Sequence, residues 1–265
     1  MRSQLAVQLY TLRDFLTTEK DTAETFAKIA KIGYPAVQLS AVGSMNGDNP
    51  SVSPELARKM LDDNGLKAIA THRPWDALAK DTQKEIDFHH TIGCDYTAIG
   101  GIPGDYGAKG AEGYAAWVAD AKPVIAKLNA AGIKFGYHNH AFEFERYGEE
   151  RKSLFDIFIN DGGPELQMEI DVYWIDHSGT NPVRIIERLH GRLDVIHIKD
   201  KEVVGAWNPG PVIAPIGEGN LDWPEILPAL KAAGTKWYAV EQDECRRDPF
   251  DCVRSSFEFL KDFPL

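Results

Sequence analysis

The chain has 265 residues, of which 43% are hydrophobic and 26% charged, as expected of a globular protein with a large core and not of a disordered or low-complexity chain. Its 40 acidic and 29 basic side chains give a formal net charge of −11, which repels phosphate backbones and anionic lipid surfaces. We therefore expect neither a nucleic acid nor a membrane as partner.

The cysteines and the first residues bear on the compartment. Three cysteines are an odd number and form no CxxC pair, which fits a reducing environment better than a disulfide framework. The N-terminal segment has neither a long apolar region nor a small-residue cleavage site. We expect a cytoplasmic protein, with a periplasmic location as the alternative if a leader was removed.

Eight short apolar runs recur along the chain, and each one is followed by a polar turn and a longer segment with helical spacing. Short buried runs of this kind are typical of parallel strands covered on both faces. The predicted strands are residues 5–10, 36–41, 67–72, 95–100, 134–140, 166–174, 193–200 and 237–243.

The segments between these runs carry the residues that begin and end helices. Ser53-Pro54 and Asn181-Pro182 place a capping side chain before a proline, and five segments stop at a glycine that leads into the next strand. The predicted helices are residues 22–32, 54–64, 78–91, 113–131, 152–160, 181–189, 223–233 and 249–261.

Eight strand-turn-helix units within a chain of this length predict an α/β fold of the (β/α)8 TIM-barrel class, with residues 1–265 forming one domain. A doubly wound sheet is the competing interpretation. It is disfavoured because no GxGxxG turn follows the first strand.

Polar residues collect at the ends of the predicted strands, where TIM barrels place their active sites. With a period of two, these residues share the inward face of their strands. They are Gln8 and Tyr10, Gln38 and Ser40, His72, His138 and His140, Glu169 and Asp171, His197 and Lys199, and Glu241 and Asp243.

Carboxylates and imidazoles that converge from separate strands form a mixed oxygen and nitrogen site suited to Mn²⁺, Mg²⁺, Co²⁺ or Zn²⁺. Such a cation stabilises an enediolate, so the expected chemistry is proton abstraction beside a carbonyl group. We expect a small sugar as substrate, contacted by Tyr10, His72 and Trp174, of which Trp174 offers a stacking platform. The sequence leaves open whether the chain forms a homo-oligomer.

Several segments resemble the sugar phosphate isomerase/epimerase family, which has a xylose isomerase-like barrel and includes ketose 3-epimerases, inosose dehydratase and, more distantly, endonuclease IV. The resemblance rests on residues 7–14 and on four further segments in the same order. These are Tyr137-His138-Asn139-His140, Asp171-Val172-Tyr173-Trp174, His197-Ile198-Lys199-Asp200 and Val240-Glu241.

The resemblance implies a divalent cation held by Glu, Asp, His and Glu from the ends of strands five to eight. Asp171, His197 and Glu241 match three of these positions. The fourth departs from the family, because His138 stands where the epimerases have a glutamate. We assign Glu143, reaching back from the following loop, as the first ligand, with His138 as the alternative.

This departure bears on mechanism, because in the family two metal-bound glutamates supply an acid or base on each face of the enediolate. The resemblance to inosose dehydratase makes His138 or His140 the base that removes the proton, while Lys199 or Glu241 handles the oxygen. A second departure is Trp174, where many members have a histidine that touches substrate.

We therefore predict a divalent-metal isomerase or epimerase of a ketose or a related sugar or polyol. The alternative is a lyase or hydratase acting on a 3-keto-sugar, keto-glycoside or inosose at the same site. DNA repair is disfavoured by the net charge of −11, and a decayed binding module by the intact order of the ligands. The long segment 203–221 after strand seven has only Lys201 as a nearby cation, which favours an unphosphorylated substrate.

Overall fold

The computed structural model describes residues 1–47, 49–205 and 210–264, and eight parallel strands form its central sheet. Numbered along the chain, the strands are hydrogen bonded in the order β6-β5-β4-β3-β2-β1-β8-β7. They are β1 Leu5–Gln8, β2 Ala36–Leu39, β3 Lys67–His72, β4 Tyr96–Ile99, β5 Lys134–His138, β6 Leu166–Glu169, β7 Val195–Ile198 and β8 Trp237–Val240.

Helices surround this sheet, which confirms the predicted (β/α)8 barrel. The chain turns into the next strand at glycines such as Gly33 (φ 118°) and Gly93 (φ 68°), since both take the left-handed conformation that ends a helix. The α-helices of the described residues are α1 Glu19–Ile32, α2 Pro54–Asp63, α3 Trp75–Lys80, α4 Thr82–Ile92, α5 Gly104–Gly107, α6 Gly110–Ala130, α7 Phe155–Asp161, α8 Val172–His177, α9 Pro182–Arg188, α10 Trp223–Ala232 and α11 Pro249–Lys261.

The seam between β6 and β7 closes the barrel with few backbone contacts. An isolated bridge pairs Asp171 with His197, and the His197 amide donates to the Ile170 carbonyl at 2.8 Å. The predicted strand 166–174 was too long, because Asp171 caps α8. Its Oδ1 accepts hydrogen bonds from the amides of Tyr173 (2.9 Å) and Trp174 (3.3 Å).

One predicted helix also needs correction. The helix predicted at 78–91 is two helices, because Asp81 (φ −143°, ψ 70°) leaves helical geometry and caps α4. His89 on α4 is fully buried. Its Nδ1 lies 2.6 Å from the Glu85 carbonyl and its Nε2 2.8 Å from Thr71 Oγ1, so both ring nitrogens are paired within the fold.

The segment 203–221, predicted from the sequence to be a long loop, contains the end of the first strand and the whole second strand of an antiparallel hairpin. Residues Asp200–Val204 pair with Gly210–Ala214, with Lys201 opposite Ile213. We call this pair the covering hairpin, because Pro211, Val212 and Ile213 line the cavity at the top of the barrel. Residues 206–209 of the same segment lie outside the described part of the chain.

Candidate active site

The polar strand ends meet at one cavity of about 690 Å³ at the carboxyl ends of the barrel strands. Strands β1 and β2 are buried along their whole length and β5 along all but its first residue, so side chains that alternate inward at the ends of these strands face this cavity. Six of the predicted site residues line it: Tyr10, His72, His138, His140, Trp174 and Glu241.

Four predicted residues form a cluster at the base of this cavity. One ligand atom from each of His138, Asp171, His197 and Glu241 lies within 4.8 Å of the others, and all four side chains are buried. The His197 Nδ1 is 2.8 Å from Glu241 Oε2. Two imidazoles and two carboxylates at this spacing make a donor set that could hold a divalent cation.

The backbone places Asp171 in this cluster. The Asp171 amide donates to Asn139 Oδ1 at 3.0 Å, which ties the end of β6 to the residue that follows β5. Only Oδ1 is used in capping α8, and the fully buried Oδ2 has no satisfactory hydrogen bond within the described residues. Oδ2 faces the Lys199 ammonium at 3.0 Å, so it already lies beside a positive charge and could bind a cation.

Lys199 lies beside the same carboxylates. Its Nζ is 3.0 Å from Asp171 Oδ2, 2.9 Å from Glu241 Oε2 and 3.0 Å from Asp243 Oδ2. Burial alone would lower the pKa of Lys199, but the three carboxylates raise it above its ordinary value. The ammonium group is thus a fixed positive charge in the cavity wall.

The histidines of the cluster fall into two electrostatic types. Burial, and then the charge of Lys199, lowers the pKa of His140 to about 4, and burial lowers that of His138 still more strongly relative to its ordinary range. Both rings are neutral at pH 7. Burial also favours neutral His197, yet the carboxylates of Glu169 and Glu241 raise its pKa to about 10.

Glu143, our first choice for the fourth ligand, lies elsewhere. Its Oε1 accepts from the Tyr137 hydroxyl at 2.6 Å and its Oε2 from the His140 amide at 2.8 Å. Tyr137 alternates with His138 on β5 and so points outward, where its ring packs 4.1 Å from that of Phe158. The structure thus brings His138, and not Glu143, together with the other three residues.

A second polar layer lies next to the cluster and contains Gln38, His72, Glu169 and His197. Glu169 Oε2 is 2.5 Å from His72 Nε2 and 3.3 Å from His197 Nε2, while Gln38 Nε2 donates to Glu169 Oε1 at 3.0 Å. Burial would raise the pKa of Glu169, but His72 and His197 lower it to about 2. Glu169 is therefore a carboxylate at neutral pH.

Aromatic side chains form the rim of the cavity. Tyr10 is 37% exposed and its ring stacks beneath the Arg13 guanidinium at 4.2 Å. Trp174 and the half-exposed Phe142 flank His140, with ring-centroid distances of 5.5 and 5.4 Å. Flat apolar faces on two sides of a polar base are suited to the hydrophobic faces of a sugar ring.

Gln38 and Glu169 contact His197, and Asp243 contacts Lys199, although none of the three was assigned as a site residue. All three were visible as inward-facing strand-end positions, and this alternation was the available signal. What the sequence did not contain is the pairing across the barrel, since Gln38 on β2 meets Glu169 on β6.

Residues 26–263 match the family described as xylose isomerase-like TIM barrel, which is most of the chain. The chain belongs to that family. The predicted resemblance is thereby confirmed at the level of the family and its barrel. No curated protein matches the chain in sequence.

Solved structures of low sequence identity share the fold. A sugar phosphate isomerase/epimerase from Parabacteroides distasonis is 22% identical, with a TM-score of 0.81 and coverage of 100% of this chain and 96% of the other. IOLI protein, solved with a bound zinc atom, is 14% identical (TM-score 0.69; 98% and 97% covered). The probable 3-DHS dehydratase AsbF from Bacillus anthracis is 11% identical (TM-score 0.71; 98% and 100% covered).

Among the described residues, no helix combines the length and apolar character needed to span a bilayer. The cavity lies at the carboxyl ends of the strands, which is where TIM-barrel enzymes have their active sites.

Proposed function

We propose that the protein is a divalent-metal-dependent isomerase or epimerase of a ketose or a related sugar or polyol. The observation that carries this proposal is the cluster of His138, Asp171, His197 and Glu241 at the base of an aromatic-rimmed cavity. The isomerase/epimerase relative from Parabacteroides distasonis supports the reaction class.

The residues present fit a metal ion. The buried His138 Nδ1 lacks a hydrogen-bond partner in the described chain, and unpaired buried polar atoms are costly unless a ligand satisfies them. The buried Asp171 Oδ2 makes no hydrogen bond there either, and its neighbour is the Lys199 ammonium at 3.0 Å. His138, Asp171, His197 and Glu241 would hold the ion, either Zn²⁺, Mn²⁺, Co²⁺ or Mg²⁺. When bound, it would polarise the carbonyl group of the substrate and stabilise the enediolate.

The chain's own groups supply the proton transfers. His140 is neutral at pH 7 and its buried Nδ1 has no hydrogen-bond partner among the described residues, so we assign it as the base that removes the proton next to the carbonyl. Glu241 also lines the cavity, and the Lys199 Nζ lies 2.9 Å from its Oε2. The Lys199 ammonium would stabilise negative charge developing on a substrate oxygen.

An unphosphorylated substrate fits the charges of this cavity. Lys199 is in contact with three carboxylates. Among the described residues that line the cavity, Arg246 is the only lysine or arginine, and it pairs with Glu202 of the covering hairpin, so it is not free to neutralise a phosphate group. Location in the cytoplasm and assembly into a homo-oligomer stay predictions.

Proton exchange tests the reaction class. The metal-loaded protein is incubated in D₂O with free ketoses, and deuterium incorporation with formation of an epimer or isomer is expected. Asp171→Asn, which keeps the oxygen that caps α8, should lose metal affinity and exchange together without unfolding. Metal affinity at the wild-type level in this variant would contradict the ligand assignment.

A lyase or hydratase acting on a 3-keto-sugar, keto-glycoside or inosose is the second candidate. It is favoured by His138, because an imidazole replaces one of the two carboxylates that a symmetric two-base epimerization uses. The likeness to a probable dehydratase is consistent with it. Loss or gain of water or of an aglycone in the D₂O experiment, without an epimer, would favour this candidate.

A further inference from the structure

The second polar layer, which we call the Glu169 network, consists of Gln38, His72, Glu169 and His197. These four residues come from β2, β3, β6 and β7, so the network spans the barrel interior. Gln38, Glu169 and His197 are fully buried, while the His72 side chain is 14% exposed. Neither the proposed metal site nor the proposed proton transfers account for the pairing of Glu169 with two imidazoles.

Hydrogen-bond directions inside the network follow from its two acceptors. Gln38 Nε2 donates to Glu169 Oε1 at 3.0 Å, which leaves Gln38 Oε1 to accept from His197 Nε2 at 2.8 Å. Glu169 Oε2, an acceptor only, lies 2.5 Å from His72 Nε2. Both histidines therefore donate a hydrogen from Nε2, and the other nitrogen of His197, Nδ1, lies 2.8 Å from Glu241 Oε2, where it would bind the proposed ion.

The same reasoning defines the cavity-facing atom of His72. Its Nδ1 makes no hydrogen bond to the described residues and lies beside Gly100, where a Cβ atom would come within 3.5 Å of it. Gly100 and His72 both line the cavity. In the tautomer that carries its hydrogen on Nε2, His72 Nδ1 is an acceptor without a partner among the described residues, and a bound molecule or solvent could satisfy it.

We propose that Glu169 is a positioning residue that holds the hydrogen of His72 on Nε2, so that His72 Nδ1 accepts a hydrogen bond from a hydroxyl group of the substrate. This proposal rests on the proposed function for the nature of the substrate. It assigns to His72 the recognition of a hydroxyl group, and it separates that role from metal binding by His197 on the other side of the same carboxylate.

The network argues against His72 as a metal ligand. His72, His138, Glu169 and His197 also have ligand atoms within 4.8 Å of one another. However, the 2.5 Å contact with Glu169 occupies His72 Nε2, and Gln38 occupies the second oxygen of Glu169. These atoms of His72, Glu169 and Gln38 satisfy one another without an ion.

Histidine ¹⁵N NMR of the Zn²⁺-loaded protein tests the tautomer without any substrate. The expected spectrum shows His72 with a protonated Nε2 and an unprotonated Nδ1. In Glu169→Gln, the new amide presents N–H to His72 Nε2, so the hydrogen should move to Nδ1. The matched control is Glu143→Gln, another buried carboxyl outside the network, which should leave the tautomer unchanged.

A wild-type spectrum with the hydrogen on His72 Nδ1 would overturn the proposal, and this readout suffices even if Glu169→Gln does not fold. The substrate role is tested with His72→Gln and whichever free ketose undergoes exchange in D₂O. Loss of one neutral hydrogen bond should raise KM about threefold to tenfold with a smaller change in kcat. A collapse of kcat at constant KM would refute hydroxyl recognition, whereas a lack of exchange by the wild type would refute only the proposed function.

Discussion

Glu143 offers a sharp test of the site, because the structure gives it a property that a metal ligand would not have. Burial raises the pKa of its carboxyl to about 7 from an ordinary value of 4.5, although hydrogen bonds from Tyr137 and the His140 amide partly oppose this. The folded protein therefore keeps a proton on Glu143 at pH values where the unfolded chain releases it. Stability from this group is complete below pH 4.5 and is lost as the pH rises through about 7.

The magnitude follows from linkage. At about 1.4 kcal/mol per pH unit between 4.5 and about 7, the loss amounts to about 3 kcal/mol. Glu143→Gln cannot ionise, and its amide can donate to the Tyr137 oxygen while its carbonyl accepts from His140. Relative to this variant, the wild type should therefore lose about 3 kcal/mol of unfolding free energy between pH 4.5 and pH 8.

Urea denaturation of both proteins at pH 4.5, 6, 7 and 8 measures this difference. Calorimetric titration with Mn²⁺ or Zn²⁺ on the same samples should give equal affinities, because Glu143 lies outside the ligand cluster. A difference in stability that does not vary with pH would show that the carboxyl titrates normally in the fold. A large loss of metal affinity in Glu143→Gln would return Glu143 to the ligand set and refute the geometric reasoning.

Three further predictions concern the barrel. Arg188→Met should lower the free energy of unfolding by about 1 kcal/mol at pH 7, because it removes the 2.6 Å contact with Asp156. Burial raises the pKa of Asp156, but Arg188 and Ser153 lower it below 3.8. The difference in stability between wild type and variant, measured by denaturation, should therefore shrink as the pH falls below 3.8. Burial raises the pKa of Cys94 to about 12, so iodoacetamide should label it only in the unfolded chain, as peptide mapping would show; rapid labelling in the native state would contradict this. Gly136→Ala should lower the free energy of unfolding by about 1–3 kcal/mol, because the added Cβ would collide with the Tyr96 hydroxyl. An unchanged denaturation midpoint would mean that the interior adjusts freely.

The sequence predicted the barrel because its strand and helix signals agree along the whole chain. Apolar runs, proline after a capping residue and glycine at the helix end are local features, and they predict local structure directly. These features gave a wrong strand boundary where one side chain forms a helix cap that the hydrophobic pattern does not show. Asp171 ends β6 early by capping α8, a competition between strand and cap that hydrophobic spacing does not reveal.

The candidate site was predictable to the extent that period-two alternation selects inward-facing residues. That alternation marked His138, Asp171, His197 and Glu241, which the structure brings together. The position of Glu143 could not be predicted from this alternation. Its position depends on which way the turn after β5 bends, and a buried hydrogen bond with Tyr137 on the outer face of that strand decides it.

The weakly paired seam between β6 and β7 has a consequence for how the barrel fluctuates. Asp171 and His197 face each other across that seam, and both belong to the ligand cluster. An ion that binds both would act as a cross-link at the point where the cylinder opens most easily. Zn²⁺ should then slow amide hydrogen exchange at the ends of β6 and β7 more than at β3 and β4, whereas uniform protection would mean that the seam is not where the barrel opens. The ion would then stabilise the closed barrel in addition to its role in the reaction.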